Sequence, residues 1–143
     1  MNTMKMMGST LMCTTLILSA SFSQAAPPPK PASCADMPGG TSLELTTLCA
    51  DTETSSVGSV PPNDFKKQAD RNGLVGKVVA AAYKMAQGKP CDAYQKLRDY
   101  ETALELLVLT VGTPKTKIGE SKGDQLKGDL NAAMDALSPL PCQ

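Results

Sequence analysis

Histidine is absent from all 143 residues. That absence removes the commonest general base, metal ligand and group titrating near neutrality. It also excludes Ser-His-Asp and Cys-His nucleophile systems. Aromatic side chains make up only 3% of the chain. After residue 25 they are Phe65, Tyr83, Tyr94 and Tyr100, so a core has to be built mainly from Leu, Val and Ala. An excess of either charge is missing too, with a formal net charge of zero. A nucleic-acid or polyanion partner would want a clear basic excess. Beyond the N-terminus no apolar run approaches the length of a membrane span, and residues Leu104 to Val111 are far too few.

What is present begins with a secretory signal pattern over residues 1–25. Lys5 supplies the positive segment, Leu11 to Leu18 the apolar one, and Ser23-Gln24-Ala25 a small-x-small cleavage site. Cys13 does not read as a lipid-modified cysteine, because the apolar run continues past it. Cleavage after Ala25 leaves a mature chain of one domain's size, with a net charge of −1 once Lys5 is lost. Export to the periplasm or the extracellular space follows, with no transmembrane segment after cleavage.

Four cysteines then remain, Cys34, Cys49, Cys91 and Cys142. An even number in a small exported chain reads as disulfides. Residues 26–62 form a Pro- and Ser-rich extension. Ala26 to Ala32 is proline-rich and semi-extended, and Ser55 to Pro62 is linker-like. Between them Leu43, Leu45 and Leu48 suggest a short helix near 42–50, capped by Thr41 or Ser42. This zone is too poor in apolar residues to make a core of its own.

Residues 63–143 read as three helices. Asn63 or Asp64 can cap the first, whose inward face is Phe65, Ala69, Leu74, Val75, Val78, Val79, Ala82, Met85 and Ala86. Asn72-Gly73 interrupts it and Gly88 ends it. The second runs from Cys91 to Val111, with Ala93, Leu97, Tyr100, Leu104, Leu107, Val108 and Val111 on one face. Pro90 suits its first turn and Asp92 the positive end of its dipole. Gly112 and Pro114 stop it. Its second half is apolar on nearly every side, which predicts burial against two neighbours. A polar loop, residues 112–122, leads to a third helix over 121–138. Ser121 and Asp124 form a variant capping box there. Leu126, Leu130, Ala133, Met134 and Leu137 share one face.

Short connections and the absence of strand patterns make the expected fold all-α, a small antiparallel three-helix bundle with a disulfide-stapled, Pro-rich N-terminal extension. In such a bundle the start of the second helix and the end of the third lie together. That pairs Cys91 with Cys142 and, by elimination, Cys34 with Cys49. Four cysteines permit three connectivities, and the rival is a bridge from Cys34 or Cys49 into the bundle.

Residues 73–138 resemble the FIMAH-type helical module of exported bacterial proteins. The resemblance is carried by the alanine-rich helix ending in Gly88, by Ala93, Leu97 and Tyr100, and by Leu126, Leu130 and Ala133. Tyr100 stands for the usual Phe and Glu101 for the Ile after it, and Cys91 falls about a turn early. The resemblance implies a helical bundle with an accessory or binding role, and it transfers no catalytic residue.

No reaction is specified. Glu101 and Glu105 could form a carboxylate pair, but their spacing beside Arg98 reads as a solvated flank. No cysteine has a CxxC partner and the acids form no calcium loop, so neither metal nor cofactor is expected. Met37, Met85 and Met134 do not cluster, and Met85 and Met134 read as core filling. Lys115, Lys117 and Lys122 precede or open the third helix and are weak anion-site candidates. The expected function is that of an exported, non-catalytic binding module for an unknown protein. Alternatives are an inhibitor or immunity-type protein blocking an enzyme, or a carrier of a small apolar ligand.

Overall fold

The computed structural model describes residues 32–60, 63–137 and 142. The expected signal segment and the start of the proline-rich stretch, residues 1–31, lie outside them. Among the described residues the protein is all-helical. A 3₁₀ turn, Cys34–Asp36, is followed by α1 (Leu43–Glu53), α2 (Gln68–Ala86), α3 (Pro90–Val108) and α4 (Glu120–Leu137). Four helices, not three, share the core.

The correction lies in α1. Ser42 caps it, its hydroxyl accepting from Leu45 N at 3.4 Å. Leu45, Leu48, Cys49 and Thr52 then fall at i, i+3, i+4 and i+7, and all four are buried. So short a stripe cannot stand alone, but it completes a ring. α1 packs on α2 and α4, and α3 packs on the same two from the other side. The linker-like segment is folded as well. Ser56 N and Oγ both donate to Asp64 Oδ2, at 2.9 and 3.0 Å. Asp64 therefore ties a turn instead of capping α2, which starts at Gln68.

Phe65 is likewise not helical. It pairs through backbone bridges with Val57 and Ile118, and both Phe65 and Ile118 are fully buried. Lys66 N donates to Lys117 O, and Gly119 N to Asp64 O, each at 2.8 Å. The loop read as polar thus supplies one core residue and a backbone seam.

α3 matches its pattern closely. Pro90 opens it, and Ala93, Leu97, Tyr100, Leu104 and Leu107 are buried. Gly88, at φ +69° just past α2, takes the left-handed conformation that ends a helix with least strain in glycine. α3 stops earlier than expected, at Val108 with Leu109 as its C-cap, so Val111 falls outside the helix and Gly112, at φ +75°, turns the chain beyond it. In α2, Leu74, Val75, Val78, Val79 and Ala82 are buried as expected, joined by Ala81, while Ala69 and Ala86 face solvent. In α4 the expected apolar stripe is buried together with Gly123. A Cβ at Gly123 would stand 2.9 Å from Val108 Cγ2, so glycine sets the close approach of α3 and α4. Ser121 lies inside the first turn of α4, not at its cap.

Tyr100 reaches across the ring from α3 to α1, where its hydroxyl lies 2.8 Å from Thr52 Oγ1. The Thr52 hydroxyl spends its one proton on Leu48 O, at 2.7 Å. Tyr100 is therefore the donor of the pair. Burial, the larger cause, pushes the Tyr100 phenol above its ordinary range.

Cys34 is bridged to Cys49 and Cys91 to Cys142. The first bridge works with Ser33 Oγ, which donates to Glu53 Oε1 at 2.8 Å, to hold the 3₁₀ turn on α1. The second joins the head of α3 to the chain beyond α4. Sequence separations of 15 and 51 correspond to about 3 and about 4 kcal/mol of restricted unfolded chain.

Two outcomes are expected. Cys91→Ser should lower the melting temperature by several degrees, and an unchanged melt would contradict a stabilising role for this bridge. Tyr100→Phe should cost about 1 kcal/mol in denaturant unfolding, and Thr52→Val more, because it strands a buried donor. The double variant should lose less than the sum of the two.

Candidate functional site

The second half of α3 decides where a binding surface can lie. Leu104 and Leu107 face inward, but Leu106 is 62% and Leu109 76% exposed. The second half of α3 does pack against two neighbours, α2 and α4, as expected, but its apolar surface is not all covered. α2 and α4 flank α3, but neither reaches the outward-facing arc on which Leu106 and Leu109 stand.

Beside Leu106 runs an open trough of about 290 Å³ between α2 and α3, floored by Ala69, Gly73, Leu74 and Ala103. A Cβ at Gly73 would meet nothing within 4 Å, so the trough is open at that point. Asp70, Lys77 and Lys117 border it. None of the three belongs to the ion pairs of the described residues, which are Lys84–Asp92, Lys96–Asp99 and Arg98–Glu101. Asp92 thus pairs with Lys84 of α2, not with Lys96 as the i, i+4 spacing suggests. Asp70 Oδ2 is enclosed without a hydrogen-bond partner. The neighbouring Arg71 spends Nη1 on Ser55 O at 2.9 Å.

The lysines singled out from the sequence have different surroundings. Lys115 is exposed and its backbone N–H is held by Thr113 Oγ1. Lys117 borders the trough. Lys122 donates to Gln125 Oε1 at 2.9 Å. Glu101 and Glu105 line a smaller cleft of about 210 Å³ with Lys127 and Asn131. Glu101 is engaged by Arg98 at 3.1 Å, as a surface pair of this kind would be. Among the described residues no group of three or more Cys, Asp or Glu side chains is placed to hold a metal ion.

One carboxyl pair escaped sequence reading. Asp129 of α4 lies against Asp51 of α1 and has Oδ2 enclosed without a donor. Burial, then the hydrogen bond and charge of Asp51, raise the Asp129 pKa, and Lys122 opposes them. The pair comes from distant parts of the chain, so spacing carries no sign of it.

Compared with protein-family models, curated proteins and solved structures, the chain matches none. Its two disulfides are consistent with an exported protein. Among the described residues no helix is long and apolar enough to cross a membrane.

The pH dependence of stability follows from Asp129. A carboxyl whose folded pKa is raised takes up a proton on folding, so its contribution favours the fold at acid pH. That contribution is lost as pH rises from about 4, the unfolded value, through the folded one. Asp129→Asn should therefore raise the melting temperature at neutral pH by a few degrees. It should also flatten the decline between acid and neutral pH. Thermal melts across that range check both; a variant that melts lower at neutral pH contradicts the assignment.

Proposed function

We propose that the chain is an exported, non-catalytic binding module that engages a protein surface through its α2–α3 face. The observation carrying this reading is the pair of exposed leucines, Leu106 and Leu109, beside an open trough bordered by charged side chains of both signs. Contiguous apolar surface rimmed by polar groups marks interaction sites on small proteins. The absence of histidine and the engagement of Glu101 by Arg98 leave the alternative carboxylate chemistry without support. The accessory role implied by the resemblance of residues 73–138 points the same way.

An inhibitor is the second reading. It is favoured by the fixing of residues 33–53 through the Cys34–Cys49 bridge and the Ser33–Glu53 hydrogen bond, with Leu43 75% exposed at the head of α1. A rigid, disulfide-tied segment with an apolar tip is what blocking an enzyme cleft requires.

A photo-crosslinking side chain placed at position 106, 43 or 136 separates these readings in the native compartment. Ala136 is exposed on α4 and serves as the control. Position 106 is expected to form a discrete protein adduct that position 136 does not. Adducts from position 43 alone would favour the inhibitor. No position-dependent adduct at all would remove the binding reading, and a small molecule retained in the native mass would favour a carrier.

A further inference from the structure

We propose that the α2–α3 face binds a second copy of this chain, forming a dimer whose twofold axis crosses α2 between Gly73 and Leu74. The inference rests on the reading that this face binds a protein, and it names the occupant.

The face carries both halves of a self-complementary contact. Leu106 protrudes, and the small residues Ala69, Gly73 and Ala103 keep open the trough beside it, which Leu74 and Leu107 also line. A knob and a hole on one patch suit an isologous interface, in which each copy supplies both. The charges have the same property. Asp70 and Lys77 are seven residues apart on α2, or two helical turns, and so lie along nearly the same line of the helix. Where two α2 helices meet antiparallel about the point between Gly73 and Leu74, Asp70 of each copy falls opposite the partner's Lys77. Both groups border the trough, and neither belongs to the ion pairs of the described residues, although Lys77 also faces the charge of Asp99 on α3. Asp70 is half-buried, and because its Oδ2 is enclosed within its own chain an incoming group meets only the part of the side chain left open. A carboxylate partly stripped of water is stabilised by an incoming ammonium group.

The crossing point is suited to close approach. Gly73 is exposed and has no side chain to hold the helices apart, and Ala69 one turn away is small and exposed. Lys117 adds a second cation at the edge of the trough. Two leucines and a shallow trough fall short of the roughly 800 Å² per partner of a standard stable interface. The dimer is therefore weak, and concentration governs it.

The test is sedimentation velocity of the oxidised mature chain over a concentration series up to ~1 mM, the range in which so weak an association shows. The wild type is expected to move from monomer to dimer. Leu106→Glu and Gly73→Gln should each abolish dimer formation, with unchanged far-UV spectra and with melts no lower than the wild type's, Gly73→Gln melting slightly higher because it removes a helical glycine. Asp70→Lys or Lys77→Asp alone should weaken association about tenfold, because each removes two symmetry-related pairs. The double reversal should restore it.

A monomer at every concentration overturns the proposal. So does a dimer indifferent to Leu106→Glu, or charge reversals without rescue. A monomer that still crosslinks another protein from position 106 overturns self-association alone and leaves the binding reading standing. Loss of both the dimer and every adduct at 106 overturns the two together.

Discussion

The hydrogen bond between Tyr100 and Thr52 joins α3 and α1, one of the two pairs of helices that face each other across the ring without being neighbours. α1 and α3 each pack on α2 and α4, and only a long side chain from one reaches the other. Tyr100 is fully buried, and its hydroxyl has Thr52 as its hydrogen-bond partner. A shift of α1 by one turn would leave that hydroxyl unsatisfied, at a cost of about 1–3 kcal/mol. The bond thus fixes the register of α1, the helix with the shortest apolar stripe. The rest of the arrangement depends on that register, including the position of Asp51 against Asp129 and of Cys49 beneath the 3₁₀ turn.

The staples act at the two places where packing is thinnest. Cys34–Cys49 holds a turn with no buried residue of its own. Cys91–Cys142 closes the end of the ring at which the chain leaves α4. At the opposite end, backbone bonds between residues 64–66 and 117–119 serve instead, with Phe65 and Ile118 sealing the core behind them. A domain this small buries a modest fraction of its surface, so covalent and backbone ties count for more than they would in a larger core. Once both ends are tied, the α2–α3 face is left with exposed leucines beside charged side chains of both signs.

Much of the helical pattern was legible. The buried faces of α3 and α4 follow directly from the spacing of Ala93 through Leu107 and of Leu126 through Leu137, and Gly88 and Gly112 mark the turns. Three features were not. Ile118 is a lone apolar residue in a polar loop, and one residue has no period. Phe65 looked helical because it precedes an apolar stripe, yet Asp64 is committed to Ser56 and the chain stays extended. α1 looked like a satellite because its apolar residues are few, though their i, i+3, i+4, i+7 placement matches a groove between α2 and α4. The candidate face was hidden by the same apolar richness that revealed α3. Leu106 and Leu109 resemble core positions until the number of neighbours is known.

By itself the sequence determined what short-range physics controls. It set where helices run, which side of each is apolar, where glycine lets the chain turn, and that histidine-based chemistry is absent. Those properties depend on residues within a few turns of one another, through the 3.6-residue period and steric limits on φ. Tertiary structure decided that four helices share the core, that Tyr100 and Thr52 meet, that Asp51 and Asp129 face each other, and that Leu106 remains uncovered. Each of these depends on how many elements surround a given face. That number is set by the competition of all the faces for burial at once, and no local stretch of chain contains it.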